Sequence, residues 1–158
     1  MEKTVENLIQ ILRERAWHIT FAESCTGGGI ASAFTAVAGA SAVFSGSFVT
    51  YSEESKTSMV GVKPDTIAAH TVYSEAVARE MAEGAAKALG AEVAVSVTGI
   101  AGPSGALPGI PVGTVCFGYT ICGETTTEEK HFEGLTREGV RAAAIHHALA
   151  RVLAYLSN

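Results

Sequence analysis

The stretch Thr20-Phe21-Ala22-Glu23-Ser24-Cys25-Thr26-Gly27-Gly28-Gly29 decides how this chain is read. A β-prone run, His18 to Ala22, leads into it, and a helix-like run, Ile30 to Val37, leads out. The pattern predicts a strand, a tight turn and a helix N-terminus. At such a junction several backbone N–H groups and the positive end of the helix dipole converge. The spot suits an anion, either a bound phosphate or the oxyanion of a reaction. Ser24 stands where a nucleophile is needed. The same residues also fit a plain βα turn, with Ser24 capping the helix and the glycines allowing close packing.

Outward from this turn the chain alternates. Val5 to Ala16 places Leu8, Ile11 and Leu12 on one helical face, with Arg13 and Arg15 late. Ala42 to Tyr51 reads as a strand with Gly46 as a weak point or bulge. Ser52 to Met59 is helix-capable; Gly61 and Pro64 break it, and Pro64 opens a short helix, Asp65 to Ala69. Ser74 starts a long helix to Leu89, stopped by Gly90. Ala91 to Thr98 has the composition of a buried strand. Gly99 to Pro111 is a long glycine/proline-rich loop, a kind more often functional than decorative. Val112 to Cys122 and Thr125 to Phe132 form a hairpin around Gly123-Glu124, and Arg137 to Leu156 is the closing helix. Early alternation and a late hairpin predict one α/β domain over residues 1–158, with a mixed sheet and helices on both faces.

Composition bounds the function. Of the 158 residues, 47% are apolar and only 17% charged, which leaves little polar cover and points equally to a subunit interface or to a core rich in alanine and glycine. We expect a homo-oligomer. The net charge of −5 comes without a basic stripe, against direct nucleic-acid binding. Cys25, Cys116 and Cys122 are odd in number and lack CxxC spacing, as for reduced thiols in a cytoplasmic protein. No signal peptide or membrane-length apolar run is present. Asp65 is the sole aspartate and the histidines lack ligand spacing, so neither a metal site nor a cofactor is expected.

Three loops follow predicted strands: Glu23 to Gly29, Ser52 to Lys56, and Gly99 to Pro111. If those strands are parallel, the loops share one rim, the usual ligand position in open α/β sheets. Ser24, Tyr51, Lys56 and Thr98 then come within reach of one another. Standard nucleophile patterns are absent. There is no GxSxG elbow, no Ser-x-x-Lys, no P-loop and no complete GxGxxG.

Four ordered motifs do match a known pattern. They are Ala22-Glu23-Ser24-Cys25-Thr26-Gly27-Gly28, Phe48-Val49-Thr50-Tyr51-Ser52 with Lys56, Val97 to Pro103, and Pro111-Val112-Gly113-Thr114-Val115. Together they resemble the C-terminal domain of the CinA (competence/damage-inducible) family over nearly the whole chain. That domain also occurs alone as nicotinamide mononucleotide deamidase. The resemblance implies a three-layer α/β/α fold and Ser/Lys amidohydrolysis of a small nucleotide substrate, in pyridine nucleotide salvage. It assigns Ser24 as nucleophile, Lys56 as base and Tyr51 as helper. The oxyanion is expected on N–H groups of Thr26, Gly27 and Gly28. The phosphate is expected on the loop of Thr98, Gly99, Ala101 and Gly102, with Arg141.

Each assignment has a plainer alternative. Ser24 can be a cap, Tyr51 a strand end, and Lys56 a surface lysine paired with Glu53 or Glu54. Cys25 is a rival nucleophile or small packing, and Glu23 either orients Lys56 or is structural. The chain also departs from the family pattern. Glu53 replaces the usual Asn, and Gly109-Ile110 replace Glu-Lys. Leu135-Thr136 alter a Pro-Gly-Asp-Arg segment ahead of Arg137. A non-catalytic nucleotide-binding module and a competence-related protein-interaction domain are the readings from other classes.

Overall fold

The computed structural model describes residues 1–158. α1 (Glu2–Arg15) buries Val5, Leu8, Ile9 and Leu12 along one stripe, as spacings of three and four require. β1 (Ile19–Glu23), α2 (Gly29–Thr35), β2 (Phe48–Val49), α3 (Glu53–Val60) and α4 (Pro64–His70) follow. Then come α5 (Glu75–Leu89), β3 (Val93–Gly99), β4 (Thr114–Ile121), β5 (Glu124–His131) and α6 (Arg137–Leu156). The five strands form one sheet in the order β2-β1-β3-β4-β5. β1 runs parallel to β2 and β3, while β4 is antiparallel to both its neighbours. The mixed sheet is therefore as the sequence predicts.

The period of two along each strand sorts the layers. Phe21, Val95 and Phe117 face a large core with Leu8 and Leu12 of α1, Phe34 of α2 and Leu149 of α6. Ala22 and Ala94 face a smaller core with Val60 of α3 and Val77, Met81 and Ala85 of α5. Helices thus cover both faces, giving the three-layer α/β/α arrangement. Small residues bring α5 flush with the sheet: Ser96 Oγ donates to Ala78 O, and a Cβ on Gly118 would sit 2.5 Å from that same carbonyl oxygen.

Two elements differ from expectation. The strand predicted over Ala42–Tyr51 shrinks to Phe48–Val49, with an isolated bridge between Phe44 and Ile19. Ala40–Ala42 coil into a 3-10 turn, and the Thr20 hydroxyl takes the Gly46 carbonyl at 2.9 Å, so the segment follows the β1 edge with an interrupted ladder. The hairpin turns at Cys122-Gly123, one residue early. Both residues have positive φ, 50° and 88°, as a two-residue hairpin turn between right-twisted strands demands.

Because β1, β2 and β3 are parallel, their C-terminal ends open on one rim. The three loops singled out in the sequence meet there.

Candidate active site

A cavity of ≈ 300 Å³ lies on this rim, lined among others by Ser24, Cys25, Tyr51, Lys56, Gly102 and Arg137. Ser24 is the first residue beyond β1. Its N–H still donates to Val97 O of β3 at 2.9 Å, which holds its backbone in the sheet while the chain turns away. Lys56 comes from α3. The start of that helix is fixed by a capping box in which Ser55 N donates to Ser52 Oγ and Ser52 N to Ser55 Oγ, both at 3.0 Å. Lys56 is then carried inward until only 2% of it is exposed.

Lys56 Nζ lies 3.0 Å from Ser24 Oγ and donates to Thr50 O at 2.7 Å. No carboxylate pairs with it. Burial pushes its pKa down from an ordinary 10.5 to about 8, against opposing pulls from Cys25 and Glu53. At pH 7 about one lysine in ten is then the free amine, against fewer than one in a thousand for an exposed one. The pair is a hydroxyl with a buried amine at hydrogen-bond distance, the arrangement for moving a proton off a serine.

Cys25 lines the same cavity, but burial pushes its thiol up to about 12, so it is protonated at neutral pH. A thiol in that state is a poor rival to Ser24. Glu23 resolves into a structural role. It is fully buried, and its carboxylate accepts Gly28 N at 3.1 Å, Ile30 N at 3.0 Å and Ala31 N at 2.9 Å. The anion predicted at the start of α2 is therefore the protein's own side chain, and it does not contact Lys56.

This changes the set of donors. Gly27 N donates to Ser24 O at 3.0 Å and Gly28 N is taken by Glu23, whereas Thr26 N meets no protein acceptor. Thr98 and Arg141 also stand elsewhere than the sequence places them. Thr98 Oγ1 donates to Val72 O, and Arg141 braces the turn after Ser24 from outside the cavity, through Nε to Cys25 O at 3.1 Å and Nη2 to Thr26 O at 3.2 Å. Gly99, Ala101 and Gly102 do line the cavity. The N–H groups of Ala101, Gly102, Ser104 and Gly105 meet no protein acceptor. The cation on the rim is Arg137, which sequence reasoning did not select. It bridges Gly102 O at 2.8 Å and the Tyr51 hydroxyl at 2.9 Å. Its signal was present only as the last residue of the altered segment after Glu133. Nowhere do three His, Cys, Asp or Glu side chains gather as metal ligands.

Comparison with known proteins places the whole chain among related sequences and folds. A family model described as the CinA C-terminal domain matches residues 1–156. The nicotinamide-nucleotide amidohydrolase PncC of Escherichia coli (strain K12) is 48% identical over 145 residues, covering 91% of this chain and 87% of that protein. A putative competence-damage inducible protein of Symbiobacterium thermophilum is 46% identical over 98% of this chain, which spans 38% of that longer relative. Among solved structures, the competence damage-inducible protein A of Klebsiella pneumoniae superposes with a TM-score of 0.95 at 38% identity, covering 99% of this chain and 97% of that one. A competence/damage inducible protein of Agrobacterium tumefaciens gives 0.94 at 36% identity, covering 99% and 95%.

Proposed function

The chain belongs to the family of CinA C-terminal domains, and on that premise we propose that it hydrolyses the carboxamide of nicotinamide mononucleotide to nicotinate mononucleotide and ammonia. The observation that carries the reading is the 3.0 Å contact between Ser24 Oγ and a buried Lys56 amine of lowered pKa. Neutral Lys56 takes the Ser24 proton as Oγ adds to the amide carbonyl. The tetrahedral oxyanion is held by Thr26 N–H, a donor worth about 3 kcal/mol in comparable sites. Lys56 returns the proton to the departing ammonia, leaving a Ser24 ester. Water, deprotonated by the same amine, then releases nicotinate mononucleotide. Every step is proton transfer and acyl transfer, with no electron to supply.

The 5′-phosphate is placed on the free N–H groups of Ala101, Gly102, Ser104 and Gly105, with Arg137 as its cation. Such a reaction returns a spent amide to pyridine nucleotide salvage. The test is release of ammonia and nicotinate mononucleotide from nicotinamide mononucleotide, with the Ser24→Ala and Lys56→Ala variants alongside. Turnover lost in both folded variants is the expected result. A parent protein without turnover, or a Ser24→Ala variant that keeps it, overturns the reading.

A further inference from the structure

Glu53 has no part in the steps above, yet it sits in the wall of the cavity. It is the first residue of α3, three before Lys56, so both side chains leave the same face of the helix. It is the single carboxylate among the lining residues, and it enters no ion pair. The two lining cations are engaged elsewhere, Lys56 with Ser24 and Thr50, and Arg137 with Gly102 and Tyr51. An unneutralised carboxylate beside the base is a handicap to the free protein, because it favours the protonated amine. Tyr51 and Tyr73 line the same cavity, and aromatic faces attract cations.

We infer that Glu53 is a specificity-determining residue that selects a cationic acyl ring, a pyridinium over a neutral arene, for the amide that Ser24 attacks. The inference rests on the reaction proposed above. The ring of an aromatic carboxamide is one bond from the attacked carbonyl, so its charge falls in the same cavity as Glu53. A pyridinium neutralises the carboxylate and relieves Lys56 of its pull. A neutral ring leaves that carboxylate uncompensated.

Titration calorimetry separates the outcomes. Ser24→Ala and the double variant Ser24→Ala/Glu53→Gln are titrated with nicotinamide mononucleotide and with benzamide riboside 5′-monophosphate, an isostere whose ring carries no charge. The exposed position limits the effect, so the added Glu53→Gln change is expected to weaken nicotinamide mononucleotide about fivefold and leave the isostere unchanged. Equal loss for both ligands, or no loss for either, overturns the inference while leaving the reaction standing. Failure of Ser24→Ala to bind either nucleotide, with the parent also inactive, overturns the proposed function and this inference with it. Unchanged thermal unfolding of the double variant excludes misfolding as the cause.

Discussion

A carboxylate and an amine are buried beside Ser24, and the protein treats them oppositely. Glu23, the last residue of β1, is fully solvated by the fold: three backbone N–H groups at the start of α2 meet its carboxylate within 3.1 Å. Lys56, from α3, receives only a carbonyl and a hydroxyl, with no counter-charge, and its pKa falls to about 8. The first is a charge made comfortable, which fixes the turn at Ser24. The second is a charge made uncomfortable, which lets an ammonium give up its proton closer to neutral pH. Burial alone thus says nothing of role; the number and sign of the partners decide it.

The largest test of the contrast is at the pair itself. Ser24→Ala should lower kcat by at least about 10⁴, and Lys56→Met by about 10²–10⁴, the usual worth of a positioned base. Stopped and steady-state assays of ammonia release read both. Glu23→Gln should act through structure. One amide oxygen cannot serve all three donors, and each one left unmet costs about 1–3 kcal/mol, visible in urea unfolding. If Glu23→Gln is as stable as the parent, Glu23 is not the comfortable charge described.

A third test uses pH and stability. The folded Lys56 pKa lies below the unfolded one, so between about pH 8 and 10.5 the unfolded chain binds more protons and stability rises with pH. Below pH 8 the lysine is charged in both states and the penalty is complete. The Tm of Lys56→Met minus that of the parent should therefore be greatest below pH 8 and shrink as pH rises to 10. A constant difference would remove the depressed pKa. Smaller still, Glu53→Gln should move the rise of kcat/KM to lower pH by less than about one unit, since the carboxylate holds the proton on Lys56. Smallest of all, Cys25→Ala should keep activity within about threefold, because a buried, protonated thiol is inert. A hundredfold loss would shift the chemistry to sulfur.

Much of this was legible in the residues, for physical reasons. The strand–turn–helix at Ser24 and the loop after Thr98 announce themselves by local chemistry, as glycines and hydroxyls between apolar runs. The parallel strands that unite their loops follow from the alternation of elements. The shortening of β2 was not legible, because it depends on a Thr20 hydroxyl claiming the carbonyl of Gly46, 26 residues away. Arg137 escaped for the same reason, being 86 residues from its Tyr51 partner. The expectation that Gly27 and Gly28 offer free N–H groups failed at two acceptors, Ser24 O for Gly27 and the Glu23 carboxylate for Gly28. A glutamate next to a helix start reads equally as cap or as catalyst until its oxygens are placed.

Arg137 and Arg141 lie one turn apart on α6, the first on the cavity rim, the second on the carbonyls of Cys25 and Thr26. One helix therefore braces a rim whose Ser24 and Lys56 come from segments far earlier in the chain. A ribosome-bound chain lacking α6 carries Ser24 and Lys56 but neither brace. The rim is thus braced only once α6 has packed into place.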